Sequence, residues 1–255
     1  MRLFSCIASI FAGLFWLCAD DATDKRPPWD AIKLVSFNRG DATDRSWLAQ
    51  TPTTSAGVTF PSGYRVADFD GTSNAVASYP DSDPLDDNPL TVCMWARIDS
   101  SSTRVSLIGK CVVTAGATQY RGWYVHFIGT GTPGNYGLVW NTGTDPLNYI
   151  SIYSGSPTTY GDGAWRHIAF VRDQIGVSTN WKIYVNGSEI SKTVISGGTV
   201  TTIANSELLK IGGQTTANQT SYFNGALDDV RLYWSSKTAA EIAAIYAEGI
   251  GESRP

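Results

Sequence analysis

Leu90-Thr91-Val92-Cys93-Met94-Trp95-Ala96-Arg97-Ile98 sets the fold class. Leu90, Val92, Met94, Ala96 and Ile98 fall on one side of an extended chain. Thr91, Cys93, Trp95 and Arg97 fall on the other. That period of two is the pattern of a strand with one face in a core. Outward from it the same reading recurs at short intervals. Before it come Ala31–Phe37, Arg65–Asp70 and Ala75–Tyr79. After it come Ser106–Val112, Tyr120–Ile128, Tyr136–Asn141, Tyr149–Tyr153, Trp165–Val171, Trp181–Val185, Leu208–Ile211 and Gly225–Tyr233. Asn186-Gly187 is a hairpin signal, because a type I′ turn needs positive φ at both positions. So many short strands predict an all-β sandwich or jelly roll of two antiparallel sheets. Thr238-Ala239-Ala240-Glu241 is a capping box, Ile242, Ile245 and Tyr246 share one helix face, and Gly249 is a natural stop. One short C-terminal helix is therefore predicted over residues 238–248.

Composition agrees. The 255 residues carry 16% charged side chains, below the ~25% of an average domain, with 9 Trp, 12 Tyr and 9 Phe. The aromatic content excludes disorder. A net charge of −4 and the lack of a Lys/Arg run argue against nucleic-acid binding. With two His, four Cys, no Cys-x-x-Cys and no His-x-x-x-His, no zinc signature is present.

Residues 1–28 read as an apolar segment and linker, 29–250 as one jelly-roll domain and 251–255 as a tail. Leu3 to Ala19 is uncharged and lies between Arg2 and the aspartates 20, 21 and 24. It is read as a signal, a membrane anchor or an assembly arm, and an apolar helix is predicted there. Ser5, Ser9 and Gly13 would line one face of that helix and allow close approach to a membrane partner or an assembly. Each version places the domain outside the cytoplasm, at a cell surface, secreted, or on a virion exterior.

Phe223-Asn224-Gly225-Ala226-Leu227-Asp228-Asp229-Val230-Arg231-Leu232-Tyr233, followed by Ala239-Ala240-Glu241-Ile242, resembles the closing signature of laminin-G-like, concanavalin A-like jelly rolls. Phe69-Asp70-Gly71-Thr72-Ser73-Asn74, Leu90 to Trp95, Trp165 to Phe170, Ile183 to Gly187 and Ile211-Gly212-Gly213 match in the same order. The resemblance spans roughly residues 31–249. It implies the fold and a range of roles: lectins, adhesion modules, glucanases and virion proteins. It also implies a calcium site in some members, for which Asp228 and the Asp70-Gly71 turn are the candidate ligands. The alternative is that Asp228 orients its neighbours by hydrogen bonds.

Glucanases of this fold carry Glu-x-Asp-x-x-Glu, with carboxylates ~5–5.5 Å apart in a retaining enzyme. None of the five Glu here has Asp two places on. Asp228 and Asp229, adjacent on a strand, would point to opposite faces. His126 and His167 read as structural histidines. A glycoside hydrolase is thus disfavoured. The leading expectation is a non-catalytic lectin-like or adhesion module that binds glycan or protein. The alternative is a structural virion protein, a capsid decoration or fibre component held by its N-terminal arm. Trp140, Asn141, Tyr149, Tyr153 and Tyr160 form the richest aromatic-amide neighbourhood for a sugar site. Core packing is the competing reading of the same residues. Finally, a hairpin loop centred on Ser102 would set Cys93 opposite Cys111, as a cross-strand disulfide or as facing thiols.

Overall fold

The computed structural model describes residues 31–249, apart from short segments of which the longest are 114–119 and 130–136. The apolar arm with Ser5, Ser9 and Gly13 lies outside the described residues. Two antiparallel eight-stranded sheets face each other. Sheet I holds β1 (Ala31–Val35), β3 (Val58–Thr59), β4 (Ala67–Asp70), β6 (Leu90–Ile98), β11 (Trp165–Arg172), β12 (Lys182–Val185), β13 (Ser188–Ile190) and β18 (Asn224–Tyr233). Sheet II holds β2 (Thr53–Thr54), β5 (Ala77–Tyr79), β7 (Arg104–Val113), β8 (Tyr120–Ile128), β9 (Gly137–Gly143), β10 (Tyr149–Tyr153), β14 (Thr193–Gly197) and β15 (Leu209–Ile211). A hairpin of β16 (Gly213–Thr216) and β17 (Gln219–Tyr222) and one helix, α1 (Ala239–Ala247), complete the described elements.

The period-two reading of β6 holds residue by residue. Leu90, Val92, Met94, Ala96 and Ile98 enter the main core between the sheets. Cys93 on the opposite face joins Ala169, Val171, Tyr184 and Tyr233 in a second cluster, closed by Ile242 and Ile245 of α1. Thr238 and Glu241 form the predicted capping box. The Asn186-Gly187 turn has φ of 49° and 77°. Gly187 is required twice over, since a Cβ there would lie 2.8 Å from the Tyr246 ring.

The expected β6–β7 hairpin is not formed. β6 pairs with β11 and β18 in sheet I, whereas β7 pairs with β8 and β15 in sheet II. Cys93 lies beside Ala169 and Arg231, Cys111 beside Gly122, and both are buried thiols outside any disulfide. The cross-strand disulfide is therefore corrected to two separate thiols. Burial pushes each thiol up to about 12. That holds them as unreactive thiols at neutral pH.

Strand β18 also departs from a regular strand. Its first half pairs with β4 and its second half with β1, and the ladder to β6 shifts between Asp228 and Arg231. Asp229 sits at that bulge with φ 49°. There Asp229 receives two hydrogen bonds from Arg231, Nε at 2.9 Å and a terminal nitrogen at 2.6 Å. The same guanidinium reaches Glu248 at the end of α1, 2.7 Å away. One buried arginine thus ties the bulge to the helix.

His167 lies under the same helix, edge-on to Trp95 at 5.6 Å and tilted against Tyr246 at 5.9 Å. It is buried, and among the described residues neither ring nitrogen has a hydrogen-bond partner. Burial lowers its pKa to about 4, with Asp229 opposing and Arg231 adding to the shift. A histidine whose native pKa is depressed takes up its proton more readily when unfolded. Its stability contribution is therefore full above pH 6.5 and lost as pH falls toward 4. The loss is expected to reach about 3 kcal/mol. It is read as a fall in melting temperature between pH 7 and pH 4.5 that a His167→Gln variant flattens.

Candidate functional site

Side chains alternate along β8, β9 and β10, so half of each strand faces the core and half faces away from it. The inner half includes Trp123, Trp140, Ile150 and Ile152. Trp140 is wholly buried, with ring centroids 6.0 Å from Trp123, 6.0 Å from Trp181 and 5.7 Å from Phe170. It is a core residue and leaves the predicted sugar site. Tyr160 is buried in the same core, with the Arg166 guanidinium 5.7 Å from its ring centroid, and leaves it too.

The outer half brings the other three together. Asn141 stands opposite Ser151 of β10 on one side and Tyr124 of β8 on the other. Tyr149 stands opposite Gly143 of β9 and Gly197 of β14. Tyr153 stands opposite Val139, and His126 stands opposite Val139 from the other flank. Ser106 of β7 stands opposite His126. The result is a polar strip, Ser106, His126, Asn141 and Ser151, crossing four strands with tyrosines along it. Asn141, Tyr149 and Ser151 are half-buried, while Tyr153 packs with Ile128 and Val139. Tyr124, His126, Ser106 and Ser151 were not identified from sequence, because only the strand register places them beside Asn141.

Within the strip, Asn141 Nδ2 donates to His126 Nδ1 at 3.4 Å, since a primary amide nitrogen can only donate. Ser151 Oγ donates to Asn141 Oδ1. Tyr124 stacks on the His126 ring at 5.0 Å. Burial, followed by the nearby Arg104 charge, holds His126 well below the usual histidine range. It is therefore neutral, and with Nδ1 accepting, its proton sits on Nε2.

The two candidate calcium ligands do not meet. Asp70 pairs in register with Asn224, while Asp228 lies four residues along β18 opposite Trp95, about 13 Å away along the strand. Asp70 Oδ1 accepts from the Thr72 backbone at 2.8 Å and from its hydroxyl at 2.6 Å. Asp228 Oδ1 accepts from the Phe37 amide at 3.3 Å. Among the described residues no group of three or more His, Cys, Asp or Glu is placed to hold a metal ion. Glu189 pairs with Lys182, Glu241 belongs to the capping box and Glu248 pairs with Arg231.

A family profile described as "Concanavalin A-like lectin/glucanases superfamily" matches residues 70–243. No curated protein matches the chain. Among solved structures, the binding domain of Paraclostridial Mosquitocidal Protein 1 superposes with a TM-score of 0.65 at 14% identity, over 86% of this chain and 52% of that one. The botulinum neurotoxin serotype D ligand binding domain, in complex with N-acetylneuraminic acid, gives 0.63 at 11% identity, over 86% and 51%. The botulinum neurotoxin DC binding domain, in complex with rat synaptotagmin II, gives 0.64 at 14% identity, over 86% and 51%. At these identities the likeness shows the fold, and the chain spans about half the length of each structure.

Proposed function

Because the chain belongs to the concanavalin A-like lectin/glucanases superfamily, we propose that it is a non-catalytic, lectin-like binding module displayed outside the cytoplasm. Its ligand is a glycan, and it binds on the outer face of sheet II. The observation that carries this reading is the meeting of half-buried Asn141, Ser151 and Tyr149 on one sheet face, away from the core. A tyrosine offers a flat apolar surface for a sugar ring, and neighbouring amide and hydroxyl groups fix its orientation. The serotype D relative bound to N-acetylneuraminic acid supports a sugar as the class of ligand. Among the described residues no helix is long and apolar enough to cross a membrane.

The test is an immobilised glycan array probed with the full chain. Saturable binding to a family of related sugars that Tyr149→Ala and Asn141→Ala both weaken supports the reading. Binding that neither substitution changes, or hydrolysis of the bound sugar, contradicts it.

A protein ligand is the second reading, and β14 is the observation that favours it. Thr193-Val194-Ile195-Ser196-Gly197 is an uncharged edge strand with Val194 and Ile195 exposed. Such an edge can accept a further strand from a partner. The botulinum neurotoxin DC binding domain, about half of which this chain matches, is found in complex with rat synaptotagmin II, which supports a protein as the class of ligand.

A further inference from the structure

Resting on the glycan-binding reading, we propose that the Asn141 amide is the specificity-determining group of the site and reads two adjacent hydroxyls of a hexose. His126 and Ser151 act as positioning residues that lock it in one orientation.

A primary amide has two donor hydrogens on nitrogen and two acceptor positions on oxygen. In Asn141, one hydrogen goes to His126 Nδ1 and one acceptor position takes the Ser151 hydroxyl. Among the described residues one donor and one acceptor position of this half-buried residue remain unused. A vicinal diol offers the matching set, with one hydroxyl accepting and its neighbour donating.

The lock matters because an amide turned by 180° would exchange its donor and acceptor. His126 prevents that turn only while Nδ1 is an acceptor. Its neutral form, with the proton on Nε2, supplies this, and Tyr124 stacked at 5.0 Å fixes the ring plane. On the other flank Ser151 stands directly opposite Asn141 across the β9–β10 ladder. A group already held in its binding geometry loses less freedom when the ligand arrives.

Two further polar atoms mark the same place. His126 Nε2 and Ser106 Oγ belong to cross-strand neighbours that are 0% and 1% exposed, and neither atom has a hydrogen-bond partner among the described residues. Buried polar groups are ordinarily satisfied. Within the strip that capacity is left unfilled by the described residues. Ser106, His126, Asn141 and Ser151 carry no formal charge.

The experiment measures binding of the full chain to hexose-terminated glycans at pH 7, with free methyl hexosides as competitors. Asn141→Asp replaces the donor by an acceptor at constant shape and is expected to weaken binding at least tenfold, the loss of about one hydrogen bond. Ser151→Ala, at a half-buried position, removes one side of the lock and is expected to weaken it several-fold. His126→Leu is expected to weaken binding about tenfold. His126→Gln, which can again accept from the amide, is expected to restore most of that loss. Mono-O-methylation of either hydroxyl of the competing diol should abolish competition. A wild-type chain that binds hexoses with Asn141→Asp undiminished overturns this assignment and leaves the glycan reading standing. Gln no better than Leu at position 126, with both variants melting as the wild type does, overturns the lock. A wild-type chain that binds no glycan overturns both.

Discussion

Lys110→Met is expected to destabilise the protein by about 3–5 kcal/mol, the range for removing one partner from a buried ion pair. Lys110 lies on β7 and is fully buried. Its ammonium contacts Asp86 at 2.8 and 2.9 Å, Asp81 at 2.9 Å and the Asn205 carbonyl. Asp86 is itself buried and accepts from the Asn205 amide at 3.1 Å, while its own carbonyl takes a hydrogen bond from the buried Arg172. Removal of the ammonium strands a carboxylate that burial already pushes upward. The variant then gains a pH dependence of known sign. A carboxyl with a raised native pKa contributes most below its unfolded value and loses that contribution as pH rises through the native one. Urea titrations at pH 7 and pH 5 should therefore show a larger deficit at pH 7. The double variant Lys110→Met, Asp86→Leu should recover at least half the loss, because the buried carboxylate goes with its partner and the remaining one, Asp81, is partly exposed to water. A single-variant loss below about 1 kcal/mol would contradict the reading of this cluster.

Trp140→Ala is expected to remove about 3–5 kcal/mol by opening a cavity among Trp123, Phe170 and Trp181. For a chain of this size that corresponds to a melting temperature lower by about 10 °C. Glycan affinity per folded molecule should be unchanged, since the ring lies on the inner side of sheet II. A loss of binding with the melting temperature intact would return Trp140 to the site.

These two residues show what could be read before the structure and what could not. The bounds of β6, β8 and β10 are legible because each strand alternates or is uniformly apolar between polar turns. Strands β2, β3, β13, β14, β16 and β17 are not legible in the sequence. Thr193–Gly197 sets two apolar residues side by side at an exposed edge, and the β16–β17 hairpin is made of small and polar residues. The Cys93–Cys111 pairing failed because a short polar link does not reveal whether it joins neighbours in one sheet or crosses to the other. Strand β6 is central in sheet I, with both edges filled by β11 and β18, so β7 had no place beside it.

The site was legible in part for the same reason. Asn141, Tyr149 and Tyr153 share a face, as odd-numbered positions joined by one short turn allow. Trp140 could not join them, since adjacent residues of a strand face opposite ways. His126, Tyr124, Ser106 and Ser151 come from strand register, which a single sequence does not display. His167 and the bulge at Asp229 depend on the packing of α1 and on the change of partner along β18, both set by tertiary contacts.

The most direct measurement of the central claim is a titration of the ¹⁵N-labelled full chain with the best hexoside from the array, followed by amide NMR. Binding on the outer face of sheet II predicts that the side-chain amide of Asn141 and the backbone amides of Asn141, Tyr149 and Ser151 move together and saturate at one affinity. Shifts confined to sheet I, to α1 or to the β14 edge, with the Asn141 side-chain signals unmoved, would contradict it.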